Sequence, residues 1–323
     1  MPEKTAATAA STETEKVTTT AAAPDTALVA GAPKPDKARS LWSDAWGDLR
    51  RNPLFLISAG LIVLLLVIAA FPGLFTSASP RDADLAKHYL QHPNWGHFFA
   101  PDWFGYDGQG RSIYARVIYG ARASIIVGVG VTLLVSVLGT IVGMLAGYFG
   151  GITDTLLSRV TDIFMGIPFL LGALVVLTTF DDRAIWVVIL ALAFLGWTQI
   201  ARVARGAVIT IKQADYVVAA KALGASTTRI LFKHVLPNAL APIIVVATIA
   251  LGGYIAAEAT LSFLGVGLAD PTVSWGVDVS SGREQLRNAP YVLIIPSVMV
   301  SITVLSFLMF GDAVRNALDP KMR

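Results

Sequence analysis

Cysteine is absent from this 323-residue chain, which excludes disulfides, zinc ribbons, thiol nucleophiles and cysteine-ligated clusters. Charge is scarce as well, since Asp, Glu, Lys and Arg make up 15% of the residues, against roughly 25% in globular domains. No GxxxxGK[ST] phosphate loop occurs, and Gly128 and Gly130 of GVGV have no Lys beside them, so the chain is not expected to hydrolyse nucleotide itself. HExxH, GxSxG and EF-hand patterns are missing too. His88 and His92 stand at i and i+4, a spacing that can place two ligands on one helical face. Without a third ligand, no metal is expected there. The net charge of +3 is too small to point to nucleic acid.

What the chain has instead is apolar sequence. Hydrophobic residues make up 54%, and the mean hydropathy is +0.64. Much of the surface is therefore expected to face lipid. The 28 glycines suit a packed helix bundle, because small residues let helices approach closely where no hydrophobic effect drives them together. Charge-poor windows at 54–75, 123–148, 156–180, 184–201, 240–257 and 290–311 predict six membrane spans. The first would extend about 33 Å as a helix and exceeds a signal h-region, so it is expected to be retained.

The expected class is an all-α polytopic membrane protein. Residues 1–40 are Ala, Thr, Pro and scattered charges with almost nothing to bury, and are expected to be disordered. They contain no apolar h-region, so no cleaved signal is expected there. Residues 41–75 read as an interfacial lead-in and first span, with Trp42 and Trp46 resting at the interface. Residues 76–122 read as an extracytoplasmic cap. Residues 123–313 form a five-helix core that includes a polar segment at 215–238, and 314–323 form a tail.

Lys and Arg orient the spans. Lys34, Lys37, Arg39, Arg50 and Arg51 precede the first span. Arg202, Arg205, Lys212, Lys221, Arg229 and Lys233 follow the fourth, and Arg315, Lys321 and Arg323 follow the sixth. With six spans these regions share one side, the cytoplasm, and both termini lie there. Arg81, Lys87, Arg111, Arg116 and Arg122 fall on the other side, where long translocated segments obey the rule weakly.

Charges near membrane depth are rare and merit a role. Arg159 and Asp162, at i and i+3, are expected to pair at the cytoplasmic interface. Glu258 ends the fifth window near the outer face, where it either lines a pathway or gate or marks a helix end. The segment DYVVAAKALGASTTRILFKHVLPNALAP (215–242) is too charged for lipid and too patterned for a casual loop. Helix is expected over 215–223, ended by Gly224 in the left-handed conformation. Ser226 or Thr227 is expected to cap a second short helix over 229–235, stopped by Pro237. The two would make an elbow, or an ordinary interfacial connection.

In this segment the chain resembles the permease subunits of bacterial ABC importers of the dipeptide/oligopeptide/nickel type. Ala219, Ala220, Gly224, His234, Val235, Leu236, Pro237 and Asn238 fall in the register of that family's EAA motif. Val218 stands where the family has Glu, which removes the carboxylate that would form a salt bridge there. FGYDGQGRSIYARVIYGARASI (104–125), GWTQIARVARG (196–206), EATLSFLGVGLADPTVSWG (258–276) and GDAVRNALDPKMR (311–323) resemble further family segments.

The resemblance implies a division of labour: two permease chains form a pathway, two cytoplasmic ATPases supply energy, and an extracytoplasmic binding protein delivers substrate. Asp215, Ala219, Ala220, Lys221, Gly224, Arg229, Lys233, His234, Leu236 and Pro237 would then form the ATPase-coupling loop. ATP and magnesium would belong to the partner ATPases, and this chain would hold no cofactor. Peptide is the expected substrate class; oligosaccharide, glutathione and nickel are others the family carries. Nickel is the least expected of these, because the predicted spans contain no His or Cys. A self-contained secondary transporter lacks support from any internal repeat, and a channel from any filter-like loop.

Overall fold

The computed structural model describes residues 46–180 and 182–318. The expected disorder of 1–40, Trp42 in the lead-in, Asp181 and the last residues of the tail lie outside them. Nearly all the described regular structure is helical; the β-pairing is a single bridge between Tyr106 and Ser112. Helix α1 spans Pro53–Ala70, with the Asn52 side chain accepting a hydrogen bond from Leu54 N at 2.9 Å and Pro at the first position. Both choices satisfy or remove amide donors that a helix start leaves unpaired. Helix α2 spans Ile113–Phe149 and is capped by Ser112, which accepts from Ala115 N at 3.2 Å.

Helices α3 (Gly151–Met165) and α4 (Phe169–Thr178) meet at an angle of 83°. Then follow α5 (Ile185–Ile211), α6 (Asp215–Ala222), α7 (Thr227–Phe263), α8 (Trp275–Gly282) and α9 (Tyr291–Leu318). Five of these helices are long and apolar enough to cross a membrane, and the bent pair brings the total to six if it counts as one span.

Several sequence expectations shift here. The window 156–180 is not a straight span. Pro168 lacks an N–H and disfavours helical geometry at Ile167, so the chain turns at Gly166–Pro168. Helix α2 starts inside the stretch read as a cap, with Ser112 at its N-cap, so Arg116 and Arg122 belong to that helix. Helix α7 begins at Thr227 rather than near 240, and α9 continues through Leu318 into the expected tail.

Packing follows the small residues. Gly139, Gly143 and Gly147 recur every four residues on α2, and a Cβ at any of them would collide with α5 at Trp197, Ala201 or Arg205. That spacing lets the two helix backbones come together. Val127, Val131, Val135, Val188 and Leu192 fill the adjoining core. Phe55 on α1 stacks on Phe310 of α9 at 5.2 Å.

The segment between α1 and α2 is held by polar contacts. Asp107 accepts from the amides of Gln109 and Arg111, at 2.8 and 2.9 Å, and from Arg111 Nε at 2.7 Å. Gly110 (φ +74°) completes this turn, and a Cβ there would overlap the Asp84 carbonyl. Below it, Arg116 on α2 reaches Asp278 on α8, with Nε donating to Oδ1 at 2.6 Å. The fully buried Trp275 donates its indole N–H to the Val117 carbonyl at 2.8 Å.

Candidate functional site

The elbow is built as the sequence suggests at its centre and differently at its end. Helix α6 closes at Leu223, whose N–H donates to the Ala219 carbonyl at 3.0 Å. Gly224 then takes φ +81°, the left-handed region that glycine enters without a Cβ penalty. Of the two cap candidates, Ser226 serves, accepting from Arg229 N at 3.4 Å. The second helix does not stop at Pro237. It is the start of α7, which passes through a π turn over Leu231–Val235 and runs on to Phe263. Proline fits because it falls in the first two positions of the α segment that follows the π turn, where a helix start needs no N–H. The elbow is thus rigidly continuous with a long membrane helix.

Its inner side is anchored: Val217, Ile230, Leu231 and Val235 are buried in the main core. Its outer side is open. Asp215, Ala219, Lys221, Gly224, Arg229, Lys233 and Pro237 are exposed; Ala220, His234 and Leu236 are half-buried. Large apolar side chains lie bare among them, with Leu223 88% exposed and Val218, Tyr216 and Phe232 about half exposed or more. The exposed apolar side chains stand among three exposed cations, Lys221, Arg229 and Lys233, and one exposed acid, Asp215, on a segment anchored in the core.

Glu258 is neither at a helix end nor open. Helix α7 runs five residues past it, and its side chain is 0% exposed. Helical continuation through Phe263 hides what the hydropathy window took for a terminus. Ser262 Oγ donates to it at 2.9 Å, and Ser124 and Ser274 at 3.2 Å. Each of those hydroxyls accepts a backbone N–H in turn, from Leu268, Trp275 and Val277 respectively. The carboxylate is the hub that ties α2, α7 and the start of α8 together.

The expected Arg159–Asp162 pair is replaced by cross-helix pairs. Asp162 contacts Arg202 on α5 at 3.3 Å, while Arg159 is exposed and has no ion-pair partner among the described residues. Asp154 and Arg205 form a two-point pair at 2.5 and 2.7 Å. Packing α3 against α5 brings these groups closer than their own helix does. His88 and His92 do not share a helical face: the single turn Leu85–His88 ends between them, and His88 stacks on Tyr106 while His92 lies against Tyr291.

The sequence reading missed the Arg116–Asp278 pair. Both side chains are at most 9% exposed; burial pushes the Asp278 carboxyl up, and Arg116 opposes that shift. It also missed a cavity of about 700 Å³ beside the α3–α4 bend, lined by Ile167, Pro168, Thr198, Gln199, Arg202 and Tyr254 among others. The Pro168 signal was legible, whereas the cavity depends on how four helices, α3, α4, α5 and α7, meet.

A continuous elbow, several membrane-length helices and a broken helix at a cavity define the chain as a helical membrane protein. A structure of the MetNI methionine ABC transporter in inward-facing conformations shares the fold, with a TM-score of 0.52 at 22% identity over 63% of this chain and 96% of that chain. Residues 139–323 match the family model described as the binding-protein-dependent transport system inner membrane component. Residues 40–93 match the N-terminal TM domain of oligopeptide transport permease C. The chain belongs to that inner membrane component family, the permease subunits of ABC importers.

Among its relatives, the oligopeptide transport system permease protein OppC of Bacillus subtilis is 37% identical over 89% of this chain and 92% of its own length. The dipeptide transport system permease protein DppC of Alkalihalophilus pseudofirmus is 37% identical over 88% and 92%. The glutathione transport system permease protein GsiD of Escherichia coli is 35% identical over 90% and 94%.

Proposed function

We propose that this chain is the transmembrane permease of an ATP-driven importer that carries peptides across the cytoplasmic membrane, coupled through the elbow to separate ATPase subunits. The observation that carries the coupling is the elbow itself: exposed apolar side chains among three cations and one acid, on a segment continuous through the π turn with α7. In this reading the elbow lies in the cytoplasm with both termini, and the segment before α2 lies outside. A second, related permease chain completes the pathway, and an extracytoplasmic binding protein supplies substrate. ATP and magnesium belong to the two ATPases. Nucleotide drives transport only by favouring one arrangement of the ATPase pair, which the elbow then transmits as a tilt of α7.

The peptide assignment rests on relatives that transport oligopeptides and dipeptides. Glutathione, itself a small peptide, is the second reading because of the GsiD relatives. Both are tested by reconstituting the chain with its partner permease, ATPases and binding protein in proteoliposomes. ATP-dependent accumulation of labelled di- or oligopeptide supports the first reading, accumulation of glutathione alone the second, and accumulation without ATPases contradicts both.

A further inference from the structure

At the end of the bundle away from the elbow, where α1 stops and α2 and α5 begin, lies a cavity of about 640 Å³. Its rim is polar and cationic, with Arg81, Arg122, Tyr119, Ser77, Ser79 and Thr272. Its lower wall is apolar, with Ala123, Ile126 and Ile185. Among the described residues, no Asp or Glu lines it. Arg122 is fixed rather than loose: Nε donates to the Ala69 carbonyl at 2.9 Å and Nη2 to the Ala70 carbonyl at 3.0 Å. These bonds use two of the five N–H groups of a guanidinium, so the clamped fork retains donors. They also fix its depth, since Ala69 and Ala70 are the last residues of the 18-residue apolar helix α1. Arg81 also lines the cavity, and its Nη2 donates to the Pro271 carbonyl at 3.4 Å.

Beneath Arg122 an apolar stripe descends α2. Ile126, Leu133 and Val137 follow at steps of four, seven and four residues, which keeps them on the arginine's face. They are 46%, 62% and 56% exposed. From Ile126 to Val137 the helix rises about 16 Å, close to half of the roughly 30 Å hydrocarbon core. One clamped guanidinium, with a second arginine lining the same cavity above an exposed apolar track one leaflet deep, matches an anionic headgroup over its acyl chain. We infer that this cavity is a binding site for an anionic phospholipid, seated between Arg81 and Arg122 with a chain along α2.

The chain's lack of cysteine makes Ile126→Cys a unique labelling position on it. A fluorophore there, in the assembled transporter in vesicles, reports neighbouring lipid through quenching by brominated phosphatidylglycerol or brominated phosphatidylcholine. The anionic lipid is expected to quench at about thirtyfold lower mole fraction, from two basic contacts near the membrane surface. Arg81→Gln with Arg122→Gln should abolish that preference. If the double variant does not assemble, Arg81→Gln alone, which removes a single long carbonyl contact, should still reduce it severalfold. Equal quenching by the two lipids overturns the site, as does a preference unchanged in the variants. Quenching by neither lipid means that a protein neighbour covers the face, and also overturns it. Loss of the preference in excess inorganic phosphate assigns the arginines to a free anion instead.

Discussion

Arg116 and Asp278 stand 162 residues apart in the chain and form an ion pair whose side chains are 3% and 9% exposed. The pair locks the first turns of α2 to α8. A buried pair adds little net stability over a matched apolar pair, but breaking one side strands a charge. Arg116→Met should therefore destabilise the protein by about 3–5 kcal/mol. Arg116→Met with Asp278→Leu should recover most of that loss. Thermal unfolding in detergent of both variants and wild type measures it; equal losses in the single and double variants contradict the pairing.

Glu258 gathers three serine hydroxyls that each accept one backbone amide and donate their proton to the carboxylate. Glu258→Gln keeps one acceptor oxygen and should cost about 1–2 kcal/mol, whereas Glu258→Leu leaves three buried donors unmatched and should cost several kcal/mol. Melting temperatures in that order support the hub. A Leu variant as stable as wild type argues against it.

Asp162 and Arg202 are more than half exposed, so their pair should contribute less than about 1 kcal/mol. A double-mutant cycle on Asp162→Asn and Arg202→Gln should show a small positive coupling, and the same cycle with Arg159→Gln none. A larger coupling to Arg159 restores the pairing inferred from sequence spacing.

At the elbow, Gly224 sits at φ +81°, which proline cannot adopt and which other residues adopt with strain. Gly224→Pro, and Ala220→Arg on the half-buried face of α6, should leave the chain in the membrane but lower ATP-coupled uptake at least tenfold. Membrane abundance and uptake in the same reconstituted preparation separate coupling from folding. Normal uptake in both variants excludes a docking role for this surface.

These sites differ in how far sequence reveals them. The elbow was legible because its determinants are local: Gly224, Ser226 and the buried Val217 lie within ten residues and act through backbone geometry. The apolar windows likewise marked the helices, because hydropathy over about twenty residues is a property of one segment. Pro237 misled because a proline stops a helix only where its N–H is needed, and after the π turn it falls in the first two positions of the following helical segment, where none is needed. Arg159–Asp162 misled because local spacing competes with helix packing, which brought Arg202 nearer. The Arg116–Asp278 pair, the partners of Glu258 and both cavities arise from long-range contacts that no single segment encodes.

The central claim is that the elbow of α6 and α7 seats against an ATPase subunit. Leu223→Cys puts a thiol on the most exposed apolar residue of that surface, in a chain with no other cysteine. A short photoreactive cross-linker attached there, in the assembled transporter, should join this chain to the ATPase. The yield should change on adding ATP and magnesium, and the joined complex should lose ATP-driven uptake. Cross-links only to lipid or the partner permease, with uptake intact, would contradict the account.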